Sequence, residues 1–239
     1  MARIKKLDPL LGDARGRVGP AVLTKVRGVP VIKIRPSINR KLRKKKNKGK
    51  PESDQTLKMG LVSPFIRKIS NYTSIGFDKY KTGKAAFPSA VQYTIKYALA
   101  GKNPDFVINY PEVVISVGKR EPAWSSQILC DDKKVVTVTW EIPETANLRE
   151  IGNDLSYILL YDETKDKPLL YSNAKTPRSA RTFSQPMYKP SFGSTIHAYI
   201  FFLAPDGKSR SRSDYVGSVT IPAQDKNPLE LPQETLSTP

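Results

Sequence analysis

The segment "KKVVTVTWE", residues 133–141, decides the fold class of this chain. Within it, Val136, Val138 and Trp140 occupy every second position. Because successive side chains of a β-strand point to opposite faces, these three side chains share one face. The segment therefore predicts a strand with one buried face, from which Trp140 enters a hydrophobic core.

Similar short apolar segments lie on both sides of this strand. The turns between them are rich in Asp, Asn, Pro and Gly, as in "PDGK" at residues 205–208. Several short strands at near-regular spacing predict a β-sandwich. The predicted strands are "FVINY" (106–110), "VVISVG" (113–118), "LSYILLYDE" (155–163), "PLLYSN" (168–173), "ARTFSQP" (180–186), "TIHAYIFFLA" (195–204) and "YVGSVTI" (215–221).

Two short helices are predicted upstream of these strands. Ser53 or Asp54 can cap a first helix that starts near Gln55. Pro64 lies inside this helix and should kink or split it, because proline removes an interior hydrogen bond. A second helix is expected within residues 87–104. The expected apolar stripes are Leu57, Leu61, Phe65 and Ile69 in the first helix, and Val91, Ile95 and Leu99 in the second.

The positive charge of the chain is concentrated at one end. The net charge is +18, and residues 1–85 hold 23 Lys and Arg against 5 Asp and Glu, whereas residues 86–239 hold 17 of each kind. The basic region begins with two β-branched stretches, Val18–Val26 and Val29–Ile34, which flank Arg27-Gly28 and predict a hairpin. This asymmetry indicates a basic segment attached to a neutral body.

A cationic run, "RKLRKKKNKGK" at Arg40–Lys50, follows the hairpin. Cations along a phosphate backbone release condensed counterions, so the run predicts salt-sensitive binding to nucleic acid or another polyanion, without sequence preference. Two other interpretations remain open: an arm that contacts neighbouring subunits, and a solvated loop. The candidate binding residues are Arg40, Lys41, Arg43, Lys44, Lys45, Lys46, Lys48 and Lys50.

A second, smaller cationic group lies in "DGKSRSRSDY", residues 206–215. On a strand, Lys208, Arg210 and Arg212 would face one side and could form an anion patch. Such charges more often form the polar outer face of an edge strand, where they discourage aggregation.

The sequence gives no support for catalysis, so we expect no enzyme, no cofactor and no metal site. The chain has one cysteine, Cys130, and one histidine, His197, whereas a structural zinc site needs about four such ligands. Asp131 and Asp132 should raise the pKa of Cys130, and no nucleophile points to His197. The chain has neither an export signal nor an apolar run of about 20 residues, so we expect a cytoplasmic or virion-associated protein without membrane partners.

Residues 134–221 are similar to an immunoglobulin or fibronectin type III domain. "VTVTWE" resembles the strand that places a core tryptophan, and "HAYIFFLAPDG" resembles the late strand whose tyrosine packs across the core. With this resemblance, the predicted fold class is α+β: a basic hairpin, a cationic loop and two short helices, then an immunoglobulin/fibronectin-like β-sandwich. The expected boundaries are 1–121 for the basic region, 122–222 for a self-sufficient sandwich and 223–239 for a Pro-rich tail.

The whole chain also resembles an uncharacterised family of basic proteins from Bacteroidota, known as a domain of unknown function. The resemblance implies a bacterial or phage-associated setting and assigns no activity. It is carried by "MARIK" (1–5), "GRVGPAVLTKVRGVPVIKIRP" (16–36), "AVQYTIKYALAG" (90–101), "PDFVINYPEVVISVG" (104–118) and "HAYIFFLAPDGKSRSRSDYVGSV" (197–219).

The favoured function is therefore a non-enzymatic nucleic-acid-associated protein. Its cationic loop would contact phosphates, and its β-sandwich would contact partners or support self-assembly. The alternative is a structural, assembly or adhesion protein, such as a phage-particle component, whose basic arm contacts neighbouring subunits.

Overall fold

A computed structural model of the chain describes residues 2–3, 15–26, 29–35, 53–78, 85–169, 176–188 and 191–222. The chain divides into two compact units, Met1–Glu52 and Ser53–Pro239. In the part of the chain that the structure describes, no helix is long and apolar enough to cross a membrane. The predicted Pro-rich tail, 223–239, lies outside the described residues.

The first unit contains one antiparallel sheet in the order β1-β4-β3-β2. Strands β3 and β4 pair from Ala21 opposite Ile34 to Val26 opposite Val29, so the two predicted β-branched stretches lie side by side. The strands are β1 (Ala2–Arg3), β2 (Gly16–Val18), β3 (Ala21–Val26) and β4 (Val29–Ile34).

The second unit begins with three helices, where the sequence predicted two. They are α1 (Asp54–Lys68), α2 (Ser70–Gly76) and α3 (Ala86–Tyr97), and the Ser53 side chain caps α1 as expected by accepting a hydrogen bond from the Thr56 amide. Of the predicted kink or split at Pro64, the split is wrong, because α1 continues to Lys68 and the chain changes helix at Ile69.

The predicted apolar stripe of α1 is also partly wrong. Leu61 is 36% exposed, and the buried face consists of Val62, Phe65, Ile66 and Ile69. Positions spaced strictly by four drift around a helix of 3.6 residues per turn, whereas mixed spacings of three and four stay on one face.

The rest of the second unit is mainly β-structure, so the fold as a whole combines helices with antiparallel sheets. Two sheets dominate: a five-stranded sheet in the order β10-β9-β13-β14, with β11 also paired to β9, and a three-stranded sheet in the order β12-β8-β7. The elements are β5 (Leu99–Lys102), β6 (Asp105–Ile108), β7 (Trp124–Cys130), β8 (Val135–Glu141), α4 (Leu148–Ile151), β9 (Leu155–Asp162), β10 (Lys167–Pro168), β11 (Thr176–Pro177), β12 (Thr182–Pro186), β13 (Thr195–Leu203) and β14 (Asp214–Thr220).

Several predicted elements differ from the structure. The second helix ends at Tyr97, so Leu99, which was predicted to belong to its apolar stripe, instead begins β5, a strand that was not predicted. Residues 170–173 of the predicted strand "PLLYSN" lie outside the described residues.

"VVISVG" (113–118) forms no strand, although Val113–Ser116 is buried, and β7 was not predicted. Instead of pairing in a sheet, the 113–118 segment is held by Ser213, whose hydroxyl accepts a hydrogen bond from the Ile115 amide at 2.9 Å. Burial alone therefore does not distinguish a strand from a buried irregular segment.

The five-stranded sheet has hydrophobic layers on both faces. On β9 and β13, even-numbered side chains such as Ile158 and Phe202 share a cluster with Trp140 of β8. Odd-numbered side chains such as Tyr161 and Phe201 share a second cluster with Phe65 and the other buried side chains of the helices. A strand that is buried on both faces is apolar at nearly every position, which explains the continuous run "YILLY" in β9.

The compact units divide at Glu52/Ser53, whereas the boundary predicted from the sequence lies at 121/122. The helices and the β-strands belong to one unit because the helices cover a face of the five-stranded sheet. From this packing we expect that residues 122–222 do not fold alone, which is the opposite of the prediction from the sequence.

Candidate nucleic-acid interface

The eight cations predicted to bind nucleic acid lie outside the described residues. They belong to the first compact unit, Met1–Glu52. The described part of that unit is the four-stranded sheet, whose side chains can be assigned to faces by register. The eight residues are Arg40, Lys41, Arg43, Lys44, Lys45, Lys46, Lys48 and Lys50.

One cross-strand row of this sheet carries two cations. Arg17 pairs with Val22, and Val22 pairs with Lys33, so the three residues form a cross-strand row. Directly opposed residues of antiparallel strands project from the same face, so Arg17 lies on one side of Val22 and Lys33 on the other. The row thus adds two cations of a described sheet to the positive charge of this unit.

A second cross-strand row, on the opposite face of the same sheet, is aliphatic. Val18 pairs with Ala21, and Ala21 pairs with Ile34, which forms a second row. Val18 is 66% exposed and Ile34 is 80% exposed. The two rows therefore differ in chemistry, but the faces as a whole are mixed: the register also places Lys25 on the face of the aliphatic row, and Val31, which is 5% exposed, on the face of the cationic row.

A buried arginine in the second unit was missed by sequence reasoning. Arg178 is fully buried and donates hydrogen bonds to the carbonyl oxygens of Glu121 (3.0 Å) and Pro122 (2.7 Å). Its guanidinium lies 4.3 Å from the centre of the Phe202 ring, and its own carbonyl accepts from the Trp140 indole at 2.8 Å. Arg178 therefore joins three separate segments around the core tryptophan.

Asp154 provides the counter-charge for this arginine and for a second one. The Asp154 carboxylate is fully buried, accepts from Arg120 Nε at 2.5 Å and lies 4.0 Å from Arg178 Nη1. The hydrogen bond to Asp154 raises the pKa of Arg120, whereas burial lowers the pKa of Arg178. A buried pair of this kind fixes geometry, since removing either partner would leave a charge without compensation.

His197 has structural partners on every side. Its Nδ1 lies 2.9 Å from the Tyr215 hydroxyl, its Nε2 lies 2.9 Å from Glu163, and its ring stacks on Tyr110 at 4.4 Å. The pKa of Cys130 is raised, as the sequence predicted, although burial contributes more than Asp131 and Asp132 do. Across the described ranges, no group of three or more His, Cys, Asp and Glu side chains could hold a metal ion.

The predicted patch of Lys208, Arg210 and Arg212 does not form one face of a strand. Arg210 is only 5% exposed, and its guanidinium donates to the Ile75 carbonyl and pairs with Asp78 at 3.5 Å. Lys208 and Arg212 remain exposed. The segment is a turn that leads into β14, so the alternation expected of a strand does not apply.

Comparisons with known proteins leave the activity open. No curated protein matches the chain. Among solved structures, the twitchin kinase region from C. elegans (Fn31-NL-kin-CRD-Ig26) is similar at 12% identity and a TM-score of 0.34, over 47% of this chain and 18% of that chain. The chain therefore spans less than a fifth of that structure's length. Residues 13–217 match a family of unknown function, and the chain accordingly belongs to that family, DUF6266.

Proposed function

We propose that this chain is a non-enzymatic, nucleic-acid-associated binding protein, whose first compact unit contacts phosphate groups. The observation that carries the proposal is the coincidence of charge with structure. Met1–Glu52 holds 17 Lys and Arg against 3 Asp and Glu, a net +14 of the total +18. Ser53–Pro239 holds 23 against 19, a net +4. A dense cationic unit attached to a nearly neutral one is suited to a polyanion.

The cationic run Arg40–Lys50 is the main contact in this proposal, and the Arg17–Lys33 row adds cations on a sheet of the same unit. Binding of this type is directed to phosphates, so it depends strongly on salt and weakly on base sequence. It needs no cofactor or metal.

The second unit would supply partner or assembly contacts. We infer an immunoglobulin/fibronectin-like β-sandwich from the two sheets that share a core around Trp140, with a helical layer added to one outer face. Domains of this class serve as interaction scaffolds, although the fold does not select the partner. A bacterial, cytoplasmic or virion-associated setting fits the proposal.

A structural or assembly role, for example in a phage particle, is the second candidate. The observation in its favour is the aliphatic row of Val18, Ala21 and Ile34, two members of which are more than half exposed. In this case the basic arm would contact a neighbouring subunit rather than nucleic acid.

The test is a salt titration of binding to duplex DNA. Replacing Lys44, Lys45, Lys46 and Lys48 with Gln should reduce the log–log salt slope by about three to four, at about 0.9 per phosphate contact. The purified protein should also show a raised 260/280 nm absorbance ratio that high salt removes.

The same variant with four Lys→Gln substitutions distinguishes the two candidate functions. An unchanged salt slope, together with a shift of the oligomer distribution in light scattering, would favour the assembly role. Unchanged binding and unchanged assembly would refute both functions of the run.

A further inference from the structure

A polar cleft of about 650 Å³ lies in the second unit, away from the cationic run in sequence. We call it the Arg120 cleft. It is formed by the segment before β7, the loop that leads into α4 and the turn that leads into β14. The charged side chains that line it are Asp78, Lys119, Arg120, Glu121, Glu150, Lys208 and Arg210.

The two arginines form a fixed wall of this cleft. Arg120 is held by the Asp154 carboxylate and by the Glu150 carbonyl, to which its Nη2 donates at 2.8 Å. Arg210 turns inward towards Asp78. The Arg120 amide donates to the Arg210 carbonyl at 3.0 Å, and this approach requires Gly118, where a Cβ would lie 1.9 Å from that same oxygen.

Two lysines at the cleft, unlike the arginines, are not paired with carboxylates among the described residues. Lys119 and Lys208 are exposed, and neither forms an ion pair within the ranges that the structure describes. The nearby Asp206 carboxylate accepts from the backbone amide of Lys208 at 2.9 Å. Both ammonium groups are therefore available to an anionic ligand.

An exposed tryptophan adjoins this cleft. Trp124 is 46% exposed, and its indole Nε1 lies 3.4 Å from the Glu121 carboxylate of the cleft lining. The other tryptophan, Trp140, is 1% exposed and belongs to the core. Trp124 therefore contacts a residue of the cleft lining, and the same lining carries Lys119 and Lys208. Single-stranded nucleic acids bind to sites that combine an exposed aromatic ring with cations, because bases stack on the ring while phosphates contact the cations.

We propose that the Arg120 cleft is a second binding site for single-stranded nucleic acid, with Lys119 and Lys208 on phosphates and a base stacked on Trp124. Glu121 and Glu150 also line the cleft, and their carboxylates can accept hydrogen bonds from amino groups of unpaired bases. A duplex hides the base faces that stacking requires, so single strands are the ligand. The inference rests on the proposed nucleic-acid function and gives it a second site.

The experiment uses the full-length chain and a labelled single strand of about 12 nucleotides, close to the span of one stacking groove. Fluorescence anisotropy measures binding, and tryptophan emission reports stacking. We expect quenching in the wild type and its loss in Trp124→Phe, because Trp140 is buried. Trp124→Ala should weaken binding about five- to a hundredfold, the usual range for loss of one stacked base.

The lysines are tested by Lys119→Gln/Lys208→Gln, with Lys102→Gln/Lys167→Gln as the matched control. The control removes the same charge from exposed positions that do not line the cleft. We expect the cleft variant to lower the salt slope by about 1.4, at about 0.7 per phosphate on a single strand, and the control to leave it nearly unchanged. Thermal unfolding should be the same for both variants.

Two outcomes would overturn the inference while leaving the proposed function intact. One is oligonucleotide binding without any quenching of Trp124. The other is an equal decrease of the salt slope in the cleft variant and its control. That result would mean that Lys119 and Lys208 act only through the overall charge of the protein. Absence of oligonucleotide binding even at low salt would instead refute the proposed function, and the cleft site with it.

Discussion

The helical layer should be required for the β-sheets to fold. The informative perturbation is a fragment that starts at Pro122 and ends at Pro222, compared with a fragment of residues 53–222 that keeps the helices. The shorter fragment lacks the helices that pack against one face of the five-stranded sheet. Removing them exposes five large buried side chains: Tyr157, Leu159, Tyr161, Tyr199 and Phe201.

The size of the effect follows from the burial of those side chains. Each is at most 4% exposed in the structure, and full burial of such a side chain is worth about 1.5–3 kcal/mol. Exposing all five would therefore cost on the order of 10 kcal/mol, which is as large as the total stability of a typical domain, about 5–15 kcal/mol. Specific contacts add to this loss, such as the edge-to-face pair of Phe65 and Tyr161 at 5.1 Å.

The assay is urea denaturation of both fragments, followed by circular dichroism, with dye binding as a measure of exposed apolar surface. We expect cooperative unfolding of 53–222, and an aggregated or non-cooperative 122–222. A 122–222 fragment that unfolds cooperatively at a similar urea midpoint would refute the reasoning, since the helical layer would then be dispensable.

Three single substitutions test other parts of the structure. Trp140→Ala should lower the free energy of unfolding by about 3–5 kcal/mol, measured in urea, because the ring is fully packed; a loss below about 1 kcal/mol would contradict this. Burial raises the pKa of Asp166, but hydrogen bonds from Lys68 and Tyr161 lower it, and the net shift is downward. Ionised Asp166 therefore stabilises the fold above pH about 4, and this stabilisation is lost as the pH falls through the folded pKa. Asp166→Asn should accordingly cost under about 1 kcal/mol at pH 7, since the pair is exposed, and the difference from the wild type should shrink as the pH falls through the folded pKa of Asp166; a difference independent of pH would argue against the ion pair. His197→Gln should leave the affinity for nucleic acid unchanged in the anisotropy assay, and a large loss without unfolding would assign His197 a role in binding.

The central strands could be predicted from sequence because their periodicity is set by burial. Alternation around Trp140 predicted β8, and the apolar runs that contain Ile158 and Ile200 predicted β9 and β13. The helical layer on the other face was not predicted, although the continuous apolar run of β9 is the pattern expected of a strand buried on both sides. A sandwich with a solvated outer face would have shown polar residues where Tyr157 and Leu159 stand.

The buried charge network could not be predicted, because its members are scattered along the chain. Arginine is rarely buried without a partner, so composition favours an exposed Arg178. Its burial depends on the Glu121 and Pro122 carbonyl oxygens and on Asp154, which only the tertiary structure brings within reach. No local pattern identifies such a partner set in a single sequence.

Counting charges in the sequence identifies a cationic run but not a cationic cleft, because the count does not show which cations are paired with carboxylates. Neighbours in sequence such as Lys44 and Lys45 act on a polyanion through their density alone, which the sequence displays directly. In the Arg120 cleft, Arg120 is paired with the buried Asp154 carboxylate and Arg210 with the exposed Asp78 carboxylate, so the cations left for a ligand are Lys119 and Lys208. The nearly neutral total of the second unit is thus a sum over paired and unpaired groups. A surface that binds anions can exist on it without any excess of Lys and Arg in the surrounding sequence.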